Sequence, residues 1–171
     1  MDYTILGRTG LNVSVMGLGG GGPSQVGMRT GKTEAEAIAI IRQALDAGIN
    51  FIDTAEAYNT EEIVGRAIKD VKRDSVVLST KKTTWKNIAA ADVPKSLEAS
   101  LKRLGTDYID IYHLHAVPLK KYNHFLSEIV PVLQTLREKG KIRFIFIQVL
   151  LQSSDERMSL LRDLILDFFE V

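Results

Sequence analysis

Three apolar stretches in this chain each run directly into ionisable side chains: FIDTAEAY (Phe51 to Tyr58), VVLSTK (Val76 to Lys81) and YIDIYHLH (Tyr108 to His115). Short apolar runs flanked by helix-patterned segments read as strands of a parallel α/β fold. In such folds chemistry gathers at the carboxyl ends of the strands. Those ends carry an acid, a phenol, an amine and an imidazole: Asp53, Tyr58, Lys81 and His115. Together they form a set suited to proton-coupled carbonyl chemistry.

The rest of the chain repeats the same rhythm. Thr4 to Leu6 and Leu11 to Val15 predict a small β-hairpin, and Val15 to Leu18 a first parallel strand ending in Gly19 to Gly22. The capping box Thr33-x-x-Glu36 opens a helix with Ile38, Ile41 and Leu45 on one face, stopped by Gly48. Strand Ile49 to Asp53 follows, then a turn at Asn59 and Thr60 and a helix facing Ile63, Val64, Ala67 and Ile68 inward. Strand Val76 to Ser79 leads to a helix with Pro94 in its first turn and Leu97, Leu101 and Leu104 at helical spacing before Gly105. Tyr108 to Leu114 is the fourth strand. Phe125 to Leu136 is helical in pattern, with a kink or late start at Pro131, and Ile142 to Ile147 is the fifth strand. A second capping box, Ser153-x-x-Glu156, leads a helix through Leu160, Leu161, Leu164 and Phe168. Five strand–helix units of about 30 residues each fit either a doubly wound sheet or part of a barrel. Residues 1–171 read as a single domain.

Composition excludes several function classes. With 22 basic and 21 acidic residues, electrostatics make no case for nucleic acid or acidic lipid as a partner. The absence of cysteine excludes disulfides, thiolate metal sites and thiol catalysis. No stretch reaches the roughly 20 apolar residues of a membrane span, and the start lacks the pattern of a signal peptide. A soluble cytoplasmic protein is the expectation.

Two glycine motifs fail their physical tests. Gly17 to Gly22 satisfies G-x-G-x-x-G formally, but Pro23 and a polar stretch follow where a helix should open. Glycines that let backbone approach a ligand or another loop explain it better. Gly27 to Thr33 lacks both the spacing and the preceding strand of a phosphate loop. His113 and His115 share a strand face, yet no third ligand stands at convincing spacing, so no metal is expected. His124 reads as solvated surface. Asp53 and Lys81 end adjacent strands, so the simplest account is an ion pair, and Lys82 alternates to the opposite face. Tyr58, five residues beyond Asp53, belongs to the same rim, where a neighbouring ammonium is expected to lower its pKa.

FIDTAEAY, Ser-Thr-Lys at the third strand end, SLKRLGTDYIDIYHLH and GKIRFI together resemble the aldo-keto reductase superfamily, in its order and spacing, over roughly residues 3 to 145. The resemblance implies a (β/α)8 barrel whose floor is plugged by the N-terminal hairpin. It implies hydride transfer between NADPH and an aldehyde or ketone. By resemblance Tyr58 is the proton donor, Lys81 lowers its pKa, Asp53 holds Lys81, and His115 orients the carbonyl. His115 is the matching histidine because it closes the D-x-Y-x-x-H pattern that begins at Asp110.

The chain departs from the family after GKIRFI, where glycine and a polar pair that contacts the nicotinamide are usual. Here Phe146, Gln148 and Val149 stand at those positions. The expected fold is thus an incomplete (β/α)8 TIM barrel of about five strands, with the loops that bind the rest of the cofactor outside this sequence. Trp85 is the aromatic candidate at the rim, for substrate or for packing. An open barrel exposes edges and an apolar face, so a homodimer or a partner chain that covers it is expected. A catalytically inactive binding or interaction module is the alternative reading.

Overall fold

The alternation of apolar and amphipathic segments resolves into a hairpin and a five-stranded parallel sheet in a computed structural model that describes residues 1–85 and 88–150. The hairpin pairs β1 (Tyr3–Ile5) antiparallel with β2 (Asn12–Ser14). The sheet follows with β3 (Leu18–Gly19), α1 (Glu34–Asp46), β4 (Phe51–Asp53), α2 (Glu61–Ile68), β5 (Val77–Thr83) and α3 (Asp92–Leu104). It continues with β6 (Ile109–Pro118), a short α4 (Tyr122–His124), α5 (Val130–Glu138) and β7 (Ile142–Leu150). The capping box at Ser153 and the helix through Phe168 lie outside the described residues.

The sheet runs in the order β3-β4-β5-β6-β7 with every pair parallel. A doubly wound sheet reverses its order at a switch point. This one never does, so the choice that periodicity left open falls to the barrel.

Local chemistry explains the element boundaries. At α1 the Thr33 hydroxyl accepts from Glu36 N at 3.3 Å while Glu36 Oε2 accepts from Thr33 N at 2.8 Å, completing the expected capping box. Gly48, at φ +92°, supplies the left-handed residue that stops the chain from continuing the helix. Pro131 gives a late start: α5 begins at Val130, and the preceding Phe125–Ile129 is a π-turn. Proline offers no N–H to the helical ladder, and widened turns are one way a helix absorbs that loss.

Strand ends differ from the sequence reading. β5 extends to Thr83, β6 to Pro118 and β7 to Leu150, past the expected ends at Ser79, Leu114 and Ile147. Ladder hydrogen bonds with neighbours decide those ends, and polar side chains facing a rim do not break them. β3 is shorter than expected; Val15 and Met16 precede it and are exposed.

Two apolar layers cover the two faces of the sheet. The outward layer packs Ile52, Leu78, Tyr112 and Leu114 against Ile41, Val64, Leu97, Leu101 and Leu133 of the helices. The inward layer is smaller. Leu11 and Val13 of the hairpin region pack on Val77 and Ile111, flanked by Phe51 and Phe144, so the hairpin closes the floor as expected. Because side chains alternate along a strand, the same inward face rises from Val77 and Ile111 to Ser79, Lys81, His113 and His115. The floor is apolar and the upper levels are polar.

Candidate active site

Strand register brings the predicted site residues together. Asp53 pairs with Ser79, Lys81 with His113, and Thr83 with His115. All four expected residues, Asp53, Tyr58, Lys81 and His115, therefore meet at the upper inward rim.

Tyr58 reaches it on a 3₁₀ turn, Glu56–Tyr58, closed by Asn59 in the left-handed region at φ 58°, which asparagine tolerates better than most residues. Two buried hydroxyls fasten the ends of this loop. Thr60 Oγ1 donates to Gly20 O at 3.1 Å, so in the 2.8 Å contact between the two threonines Thr54 is the donor. Glu56 fastens the middle, accepting from Lys82 Nζ at 3.0 Å, Thr83 N at 2.7 Å and Ser96 Oγ. Gly21 lies flat against the Tyr58 ring: a Cβ there would sit 2.6 Å from Tyr58 Cε2. The glycine run is thus a close-approach surface, as its sequence context implied.

Lys81 is only 6% exposed. Its ammonium donates to Asp53 Oδ2 and to Thr54 O at 2.8 Å, and stands 5.2 Å from the Tyr58 ring centroid. The Tyr58 hydroxyl faces His115 Nε2 at 3.5 Å, with the two rings edge-on. A register shift after Leu114, with Ala116 at φ 57°, aims this end of β6, and Thr84 Oγ1 donates to His115 O at 2.6 Å. Bulges commonly re-aim side chains beside active sites. Trp85 packs edge-on to His115 at 5.2 Å and is exposed, so it is both packing partner and rim residue. The exposed Phe146 ring lies 5.4 Å from His113.

The electrostatics correct one expectation. Burial, then the negative charge of Asp53, pushes the Tyr58 phenol above its ordinary value, not below it. Lys81 stands over the ring face and spends its charge on Asp53. Burial lowers Lys81 despite Asp53, and burial with the Lys81 charge lowers His115. His113, more deeply set, falls to about 4 for the same two reasons. Both site histidines are accordingly neutral near pH 7.

Sequence reasoning missed Ser79, Thr54, Thr60 and Glu56. A hydroxyl in an apolar strand and a glutamate in FIDTAEAY were the available signals, because buried polar groups require partners. His124 is exposed, as expected. Among the described residues, no group of three or more His, Cys, Asp or Glu could hold a metal, and no helix is long and apolar enough to cross a membrane.

A family model described as Aldo/keto reductase family matches residues 15–147. The chain is 43% identical over 163 residues to the aldo-keto reductase YhdN of Bacillus subtilis, covering 85% of this chain and 46% of that one. It is 37% identical over 164 residues to the NADH-specific methylglyoxal reductase of Escherichia coli, covering 82% and 49%. The fold superposes on the holo form of aldo-keto reductase AKR11C1 from Bacillus halodurans with a TM-score of 0.72 at 32% identity, over 87% of this chain and 50% of that one. The chain spans about half the length of the curated relatives it matches.

Proposed function

The chain belongs to the aldo/keto reductase family, and from that premise we propose that its rim residues reduce an aldehyde or ketone at the expense of a nicotinamide cofactor. The observation that carries this reading is the convergence of the Tyr58 hydroxyl and His115 Nε2, 3.5 Å apart, above the Asp53–Lys81 pair. A carbonyl oxygen placed between two such groups receives two hydrogen bonds where negative charge develops.

The bound cofactor would supply hydride to the carbonyl carbon. Tyr58 gives its proton to the carbonyl oxygen, and the alcohol leaves neutral. The Lys81 ammonium stabilises the phenolate left behind, while Asp53 keeps Lys81 charged in a buried setting. His115 orients the substrate oxygen. Its buried Nδ1 has no partner among the described residues, which favours the tautomer with the proton on Nε2, where it can be donated. The residues present fit the reactive end of such a cofactor: alternation along β7 puts Gln148 on the inward face with Phe146, and both are exposed. An exposed amide there can bond a carboxamide, and Phe146 offers a ring against a ring. NADPH is the expected donor by family resemblance; the E. coli relative, named NADH-specific, makes NADH the competitor to test.

Calorimetric titration with NADPH and NADH, followed by turnover of small aldehydes and ketones, tests the reading. Saturable binding near micromolar concentration and substrate-dependent oxidation are expected. No binding of either cofactor at millimolar concentration sinks it.

Gly21→Ala should displace the Tyr58 ring without unfolding the protein, because the new methyl would fall within 2.8 Å of three ring atoms. A misplacement of about 1 Å can cost about 100-fold in rate. Steady-state kinetics with an unchanged melting curve is the check; a wild-type kcat would mean the ring yields elsewhere.

A further inference from the structure

Asp53 holds Lys81 with one carboxylate oxygen, and its other oxygen begins a chain that the mechanism above leaves unused. The fully buried Ser79 donates its hydroxyl to Asp53 Oδ1 at 2.6 Å, and His113 Nε2 lies 3.0 Å from the same Ser79 oxygen. A hydroxyl carries one proton and an ionised carboxylate none. The Ser79 proton therefore points to Asp53, and its oxygen accepts from His113. That fixes His113 with a proton on Nε2. Since His113 is neutral above about pH 4, its Nδ1 is bare near neutrality.

We infer that Ser79 and His113 are positioning residues that fix the Asp53 carboxylate on Lys81. This role rests on the reductase reading of the site and extends the site inward by two residues. The four side chains occupy paired positions on three strands, Asp53 with Ser79 and Lys81 with His113. The Asp53 side chain is 36% exposed, enough to swing toward water if nothing held its second oxygen. Ser79 holds it, and His113 holds Ser79. Phe146, paired with His113 across β7, contacts its ring with a 42° tilt. The ionisable groups facing Lys81 are Asp53 from β4, Tyr58 from the 3₁₀ turn, and His113 and His115 from β6, beside the Thr54 carbonyl that also accepts from it. Asp53 carries the only negative charge among them, so loosening it leaves the ammonium more exposed to the cost of burial.

The test uses the full chain. Nitrogen-15 spectra of the imidazoles, with His113 assigned by substitution, should show His113 neutral with the proton on Nε2. Ser79→Ala should lower kcat about tenfold with KM nearly unchanged, as expected when a hydrogen bond to a charged group is lost, and His113→Leu, which removes only the neutral bond that holds Ser79, should lower it by a smaller factor in the same way. Both should move the basic limb of the kcat–pH profile to lower pH, because Lys81 loses its counter-charge. His113→Gln presents an amide N–H at the place of Nε2 and should restore both the rate and the limb. Thermal melts identify folded variants; if His113→Leu does not fold, Ser79→Ala and His113→Gln decide. A proton on Nδ1, or folded variants with a wild-type pH profile, overturns the inference. Failure of the wild-type chain to reduce any carbonyl would instead defeat the reductase reading, and the tautomer would still decide whether the chain exists.

Discussion

Replacing Tyr58 with phenylalanine is expected to lower kcat for carbonyl reduction about 1,000-fold, within the range a positioned general acid contributes. The substitution removes one oxygen and leaves the ring, which keeps its contact with Gly21 and its edge-on packing with His115. Cofactor affinity should change little, so the loss appears in kcat and kcat/KM alike, the signature of an interaction made in the transition state. Burial and the Asp53 charge hold the phenol above its ordinary value, so it is protonated near neutrality and present as a donor. Reduction needs that proton, so the rate holds at low pH and falls as pH rises. Burial lowers Lys81, so loss of the ammonium's charge makes the fall begin below the ordinary lysine range. Lys81→Met combined with Tyr58→Phe should cost scarcely more than Tyr58→Phe alone, because Lys81 acts on the tyrosine. Retention of more than about a tenth of wild-type kcat by Tyr58→Phe would mean that another group delivers the proton.

How much of this was legible in the sequence depends on the range of the interaction involved. Asp53, Lys81 and His115 were readable because each closes an apolar run in the sequence, where an ionisable group demands a partner, and parallel strands put such positions side by side. Tyr58 was readable from its distance beyond Asp53. The helix starts at Thr33 and Pro94 rest on chemistry within four residues, and they appeared where expected. Ser79 was visible only as a polar residue in VVLSTK; its bond to Asp53 depends on register between strands 26 residues apart. The glycine run showed freedom without showing what approaches it. The direction of the Tyr58 shift was missed for a related reason. Spacing suggested an ammonium near the phenol but could not show that Asp53 neutralises it, or how deeply the ring is set.

Asp110→Ala should be the most damaging single substitution for stability, at about 3–5 kcal/mol, the usual cost of removing one partner from a buried ion pair. The sequence marks Asp110 only as the first residue of D-x-Y-x-x-H. It lies on the outward face of β6 at 1% exposure, away from the rim chemistry. Its Oδ2 accepts from Arg73 Nη2 at 2.7 Å and from the buried Leu78 N–H at 2.9 Å, and its Oδ1 accepts from Arg143 Nη1 at 2.7 Å. One carboxylate thereby ties β5, β6, β7 and the Arg73–Ser75 turn together. Alanine leaves the Leu78 N–H without its acceptor and brings two guanidinium groups together with nothing between them. Arg73 keeps its bonds to Thr106 Oγ1, Val76 O and Tyr108 O, so it cannot simply turn out to water. Asp110→Asn retains an acceptor for Leu78 but faces one arginine with an N–H, so about half the loss is expected. For a chain of this size the alanine variant should melt about 10 °C lower. In denaturant its midpoint should fall with an unchanged slope, since the surface exposed on unfolding is the same. A loss below about 1 kcal/mol would show that water replaces the carboxylate and that the arginines are held by their other partners alone.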